Sequence, residues 1–201
     1  MKLYYSPGAC SLSPHIVLRE AGLKFEPVLA STKTHKLQDG TDFYTINARG
    51  YVPVLELDNG ERLTEGPAIV QYIADRAPAK ALAPESGSFE RYRLQEWLNY
   101  VSTELHKGYG ALFTPTTPQD YKPIVLDRLA LRYELVEAAL SKQPYLLGAG
   151  FSVADAYLFV VTRWANHVKL SLERFPSLVA FQARVRERPA VRAALEAEGQ
   201  E

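Results

Sequence analysis

The sequence predicts an α/β domain over residues 1–80 followed by an all-α domain over residues 88–201. The first eighty residues alternate between short β-prone runs and helical spacing, whereas apolar residues after position 88 recur at three and four. Between the two, A-P-A-K-A-L-A-P-E-S-G-S at 77–88 has the composition of a linker. A chain of 201 residues, 47% hydrophobic and 23% charged, is long enough for two small domains and has the apolar material for a core.

Leu3-Tyr4-Tyr5 is the first strand. After a Gly-containing turn, residues 11–21 read as a helix, with Leu12, Ile16 and Val17 at helical spacing and Gly22 as its stop. Residues 25–30 form a second strand. Residues 31–50 are polar and irregular, with a short helix near Tyr44. Residues 52–57 and 62–64 pair as a hairpin around Asp58-Asn59-Gly60, since Asn-Gly tolerates positive φ. Residues 67–76 form a helix with Pro67 in its first turn. The order βαβ then ββα describes a small thioredoxin-like domain.

In the second domain, Leu94, Trp97, Leu98, Val101 and Leu105 form an apolar stripe. Three prolines interrupt residues 114–123. Residues 124–140 form an amphipathic helix. Residues 152–168 are so apolar that they predict a buried central helix, opened by the capping-box variant S-V-A-D at 152–155. Residues 176–188 and 190–197 close the chain as two further helices.

Lys plus Arg is 23 and Asp plus Glu is 23, a balance that argues against nucleic acid or an anionic membrane as partner. No basic and apolar leader opens the chain, and no run of eighteen apolar residues could span a membrane. The four histidines, His15, His35, His106 and His167, lack metal-ligand spacing, so no metal is expected. One cysteine makes no internal disulfide, and a reducing cytoplasm is the expected home.

That cysteine, Cys10, stands in S-P-G-A-C-S-L-S-P-H, between the first strand and the first helix. A helix N-terminus favours an anion, and the thiolate is the reactive form of a thiol. Ser13 stands where a redox C-x-x-C would carry its second sulfur, so the partner sulfur must come from a small molecule. The bland reading is an inert buried thiol. Val52-Pro53 reads either as an edge-strand proline or as a cis bond that leaves the Val52 backbone open to a peptide-like ligand. In T-E-G-P-A-I-V, Glu65 and Gly66 reach a helix start whose N–H groups can hold a carboxylate, or Glu65 is a simple first-turn acid. Asn99, Thr103 and His106 share one helix face, which is ordinarily just solvated.

Together M-K-L-Y-Y-S-P-G-A-C-S, Y-V-P-V-L, L-T-E-G-P-A-I-V-Q-Y-I-A-D, W-L-N-Y-V-S-T-E-L-H-K and F-S-V-A-D-A-Y-L-F resemble the beta-class bacterial glutathione S-transferases, near those of biphenyl and other aromatic catabolic pathways. The resemblance covers essentially the whole chain. It implies the glutathione transferase fold, a homodimer, and glutathione as co-substrate lying over the domain at 1–80. It places Cys10 beside the glutathione sulfur, able to form a mixed disulfide with it. It places Val52 and Pro53 against the cysteinyl unit, and Glu65 and Gly66 against the γ-glutamyl end. Asn99, Thr103, Glu104 and His106 would complete the site, some from the partner subunit, with His106 near the thiols. The family carries a lysine after the second strand to meet the glycyl carboxylate. Here an ungapped alignment puts His35 there, with Lys36 or Lys33 able to substitute. An imidazole would hold that carboxylate only while protonated, so glutathione affinity would fall as the pH rises out of the acid range.

The leading expectation is a glutathione transferase acting on electrophilic aryl or halogenated small molecules, held by Tyr5, Tyr109, Phe113 and Trp164 in a pocket of the all-α domain. The rivals are glutaredoxin-like thiol exchange, glutathione-dependent reductive dehalogenation, and a non-enzymatic ligand carrier.

Overall fold

A computed structural model describes residues 1–200. Its elements in chain order are β1 (Lys2–Tyr5), α1 (Leu12–Ala21), β2 (Glu26–Leu29), β3 (Val54–Glu56), β4 (Arg62–Thr64), α2 (Gly66–Asp75), α3 (Phe89–Tyr100), a π-helical turn (Val101–His106), α4 (Lys107–Phe113), α5 (Tyr121–Leu140), α6 (Val153–His167), α7 (Pro176–Arg186) and α8 (Pro189–Ala197). Short 3₁₀ turns at Phe43–Thr45 and Pro78–Lys80 complete it. The chain divides into two compact units, Met1–Ala83 joined by the segment from Arg188 on, and Pro84–Glu187.

The first unit is a four-stranded mixed sheet in the order β2-β1-β3-β4, with β1 parallel to β2 and antiparallel to β3. The β1–α1–β2 crossover is what makes the first pair parallel. Leu3, Val54 and Leu55 of the inner strands are fully buried, as are Ile16, Val17 and Leu18 of α1. Gly22 stops α1 in the left-handed conformation, its N–H returning to the Arg19 carbonyl. The β3–β4 hairpin differs from the expected Asn-Gly turn. Only Gly60 takes positive φ, and its N–H donates to Leu57, so the loop is a type I turn closed by a glycine bulge. Strand β3 begins two residues later than expected, because Pro53 has no N–H for the ladder. The first unit also takes the last helix. The sequence grouped residues 188–201 with the all-α domain, but α8 packs on α1, and Arg188 forks onto the Glu20 carboxylate at 2.6 and 3.0 Å.

The second unit is all-α. Helix α5 starts at Tyr121, inside the proline break read from sequence. Pro123 falls in its first turn, where a missing N–H costs nothing. Helix α6 is buried along nearly its whole length. Its capping box forms at residue-level detail. The fully buried Asp155 carboxylate accepts from the Ser152 N–H, the Ser152 hydroxyl and the Leu146 N–H, at 2.7–2.8 Å.

No described helix is long and apolar enough to cross a membrane.

Burial pushes the Asp155 carboxyl up to about 6, against the pull of its three donors. A carboxyl raised in the folded state favours folding below its unfolded value of about 4, and that advantage is lost as the pH rises through about 6. Asp155→Ala orphans two buried N–H groups and should cost about 3 kcal/mol in urea unfolding. The stability gap between wild type and Asp155→Asn should narrow from pH 4 to pH 7. A constant gap would mean that Asp155 contributes no titration of its own in that range.

Candidate active site

Cys10 lies in the turn between β1 and α1, one residue ahead of the Ser11 cap. The turn is bracketed by its own chain. Ser11 Oγ accepts from the Ser6 N–H at 3.1 Å and donates to the Ser6 carbonyl, and the Ala9 N–H donates to the same carbonyl. On the other side of the loop, the Gly8 N–H donates to Glu198 at 3.0 Å. Cys10 is thus presented, half-buried, by a fixed backbone.

Its sulfur lies 3.4 Å from the Val52 carbonyl, and the Val52-Pro53 bond is cis. Two segments 42 residues apart in sequence therefore meet, a thiol on one and a backbone edge on the other. Glu65, which precedes α2, holds φ at +66°, in the left-handed region that a non-glycine residue rarely adopts. Such an outlier is commonest where function fixes the backbone. The Glu65 carboxylate is mostly exposed and pairs with Arg49 at 2.6 Å. Gly66 and Pro67 open α2 directly behind it. His35 also has positive φ. Its Nδ1 lies 3.1 Å from the Gly50 carbonyl, and its ring leans on Tyr44 at 4.8 Å. Lys33 and Lys36 are exposed on the same loop. Tyr5, at the end of β1, sets its ring against His15.

The second unit holds the other residues. The sequence put Asn99, Thr103 and His106 on one face. The structure separates them, because the π-helical turn widens the helix between them. Asn99 and Thr103 stay on the exposed side, the Thr103 hydroxyl donating to the Asn99 carbonyl. His106 turns inward against α6. Its Nδ1 lies 2.6 Å from the Tyr157 hydroxyl, and its ring meets Trp164 edge-on at 4.8 Å. Glu104 is engaged by Arg132 of α5 at 2.9 Å. Tyr109, Phe113 and Trp164 form one aromatic cluster with ring centroids 5.6–6.0 Å apart. Tyr109 contributes only its ring, for its hydroxyl is buried against that of Tyr133 at 2.8 Å. Burial raises both phenols, Tyr133 to about 12.

A thiol beside a backbone carbonyl and a cis-proline, next to a strained acid at a helix start, can take a small peptide-like thiol. Residues 1–75 match the model "Glutathione S-transferase, N-terminal domain", and residues 96–189 match "Glutathione S-transferase, C-terminal domain". The chain belongs to the glutathione S-transferase family.

Its curated relatives include the glutathione S-transferase GstA of Escherichia coli O157:H7, 49% identical over 99% of both chains. Solved structures similar to it include a ternary complex of BphK, a bacterial transferase, at 56% identity and TM-score 0.97 over 99% of this chain and all of that one. A bacterial beta-class transferase of Sphingomonas chungbukensis matches at 45% identity and TM-score 0.97 over the full length of both. The chain is thus a bacterial beta-class glutathione transferase, and glutathione is its co-substrate. Among the described residues no cluster of three or more His, Cys, Asp or Glu side chains could hold a metal ion.

Sequence reasoning missed four residues of the transferase that bear on these sites. Ser11 and Glu198 brace the Cys10 loop, Arg49 holds Glu65, and Tyr157 holds His106. Tyr157 was hidden in the apolar run of α6, and the distant Glu198 carried no signal of its own.

Gly50 supports the His35 loop through its bare α-carbon. It sits at φ +68°, and an added Cβ would lie 2.7 Å from the Tyr44 ring and 2.9 Å from His35 Nδ1. Gly50→Ala should therefore lower stability by about 2 kcal/mol. It should also weaken glutathione binding, measured by calorimetry. Unchanged affinity would remove the His35 loop from the site.

Proposed function

We propose that this transferase directs the glutathione thiolate at electrophilic aryl or halogenated small molecules, and that Cys10 can form a mixed disulfide with glutathione. The observation that carries the reading is the Cys10 sulfur 3.4 Å from the carbonyl before cis-Pro53. That carbonyl is an acceptor that a cysteinyl N–H can use, so a bound glutathione would bring its own sulfur to the same end of the loop. Val52 and Pro53 would take the cysteinyl unit. Glu65 and Gly66 would take the γ-glutamyl end, with Arg49 holding the Glu65 carboxylate in place. His35 or Lys36 would meet the glycyl carboxylate, and Asn99, Thr103, Glu104 and His106 would complete the site in a homodimer. Tyr109, Phe113 and Trp164, with Tyr5, would hold the electrophile by ring contacts.

The lone thiol gives thiol exchange and reductive dehalogenation their footing as second readings. In dehalogenation one glutathione would displace the halide to give a thioether. The Cys10 thiolate would then attack the glutathione sulfur, releasing the reduced product as a carbanion that takes a proton. The resulting Cys10–glutathione disulfide would be reduced by a second glutathione, which leaves as oxidised glutathione.

The test is glutathione-dependent conjugation of an activated chloronitrobenzene by wild type and Cys10→Ala, with intact mass measured after oxidised glutathione is added. Conjugation should survive in Cys10→Ala within about tenfold. Wild type alone should gain the mass of one glutathionyl group. Conjugation abolished with the cysteine would instead favour thiol exchange.

A further inference from the structure

His35 stands in the first unit, on the loop between β2 and β3, half-buried and with its backbone at φ +52°. A non-glycine residue in that region is held there by its surroundings. Two contacts hold the ring itself. Tyr44 packs against it at 4.8 Å, and Nδ1 lies 3.1 Å from the Gly50 carbonyl. A carbonyl oxygen only accepts, so Nδ1 carries a proton whether the ring is neutral or charged. The neutral ring has one proton, and it faces Gly50. Nε2 then presents a bare lone pair, and it makes no hydrogen bond among the described residues. Gly50 stands two residues ahead of Val52, whose carbonyl meets the Cys10 sulfur, and two residues span at most about 7 Å. The ring is thus anchored on the stretch of backbone that meets the thiol.

We propose that His35 decides which end-group the site accepts on its thiol. The neutral ring takes an N–H donor at Nε2, as on a glutathione whose glycyl carboxyl is an amide, and only the protonated ring takes the free carboxylate. The inference rests on the glutathione reading above, which brings the glycyl end to this loop. A bare imidazole nitrogen and a carboxylate are both acceptors, so no hydrogen bond forms between them. An amide N–H satisfies the same nitrogen with no change of charge. Protonation at Nε2 reverses the preference, because the cation gives the carboxylate a charge-assisted bond. The charged and titratable groups around the ring are Lys33 and Lys36 on its own loop, Asp42 and Tyr44 of the 3₁₀ turn, and Arg49 beside Gly50, itself paired with Glu65. Side chains of those types do not ordinarily change charge between about pH 5.5 and pH 8, whereas histidine does.

Calorimetry measures the dissociation constants of glutathione and of its glycinamide form, both kept reduced, at about pH 5.5 and pH 8. The ratio of the two constants cancels what the ligands share: the sulfur, the γ-glutamyl end and any general effect of pH on the fold. In wild type the ratio should move by about tenfold, from a preference for glutathione at the lower pH to parity or a preference for the amide at the higher. His35→Lys should prefer glutathione by about tenfold at both pH values, and His35→Gln should show a ratio that does not move. A wild-type ratio constant with pH would overturn the proposal, and a constant preference for glutathione would give the carboxylate to Lys33 or Lys36. If neither thiol binds at either pH, the glutathione reading falls and the proposal falls with it.

Discussion

The buried contact between His15 and Glu198 holds the N-terminal unit in its present form. Both side chains are almost wholly out of water, and they meet at 2.8 Å. Arg19 Nε donates to Nε2 of the same ring, which leaves the His15 proton on Nδ1, facing the carboxylate. The other Glu198 oxygen takes the Gly8 N–H. One carboxylate thereby ties the end of the chain to α1 and to the loop that presents Cys10. A buried carboxylate is tolerable only with such a set of donors, because its desolvation would otherwise cost several kcal/mol. The position of α8, the shape of the Cys10 loop and the burial of α1 all follow from satisfying it.

What the sequence makes legible follows from the range of the forces involved. The alternation in 1–80, the Gly22 stop and the Ser152–Asp155 capping box are local. Each can be read because the residues that act are neighbours in the chain. Val52-Pro53 is legible as a choice between two states, and the structure resolves it, the bond being cis and β3 beginning only after Pro53. Contacts across long separations left little trace. Glu198 reaches His15 across 183 residues, and its neighbours in sequence read as nothing more than a helix end. The π-helical turn was invisible for a different reason. A helical wheel assumes a constant turn, and one widened turn between Thr103 and His106 is enough to send the second residue to another face.

Two of the histidines show how the same side chain is held in different ways by its neighbours. His15 accepts at Nε2 and donates at Nδ1, with both nitrogens spent on holding the fold. His106 is held through Nδ1 alone, 2.6 Å from the Tyr157 hydroxyl. The difference lies in the neighbours rather than in the residue. An arginine beside the first ring forces an acceptor at Nε2, whereas the phenol beside the second can donate to Nδ1 or accept from it.

The two units also bring different kinds of recognition to the proposed chemistry. In the first, the groups that would meet glutathione are backbone atoms and charges held in unusual conformations, the Val52 carbonyl and Glu65 at positive φ. Such groups demand matching partners, because a buried or strained polar atom left unpaired costs more than a lost apolar contact. In the second, the cluster of Tyr109, Phe113 and Trp164 offers ring faces and edges, and the one hydroxyl among them is spent on Tyr133. Contacts of that sort separate one electrophile from another by shape and area, at roughly 1–3 kcal/mol for a methylene gained or lost. With these residues in the proposed roles, the transferase would be strict about the thiol it accepts and permissive about what the thiol attacks. The strict half can be read from motifs, and the permissive half resists it for the same physical reason.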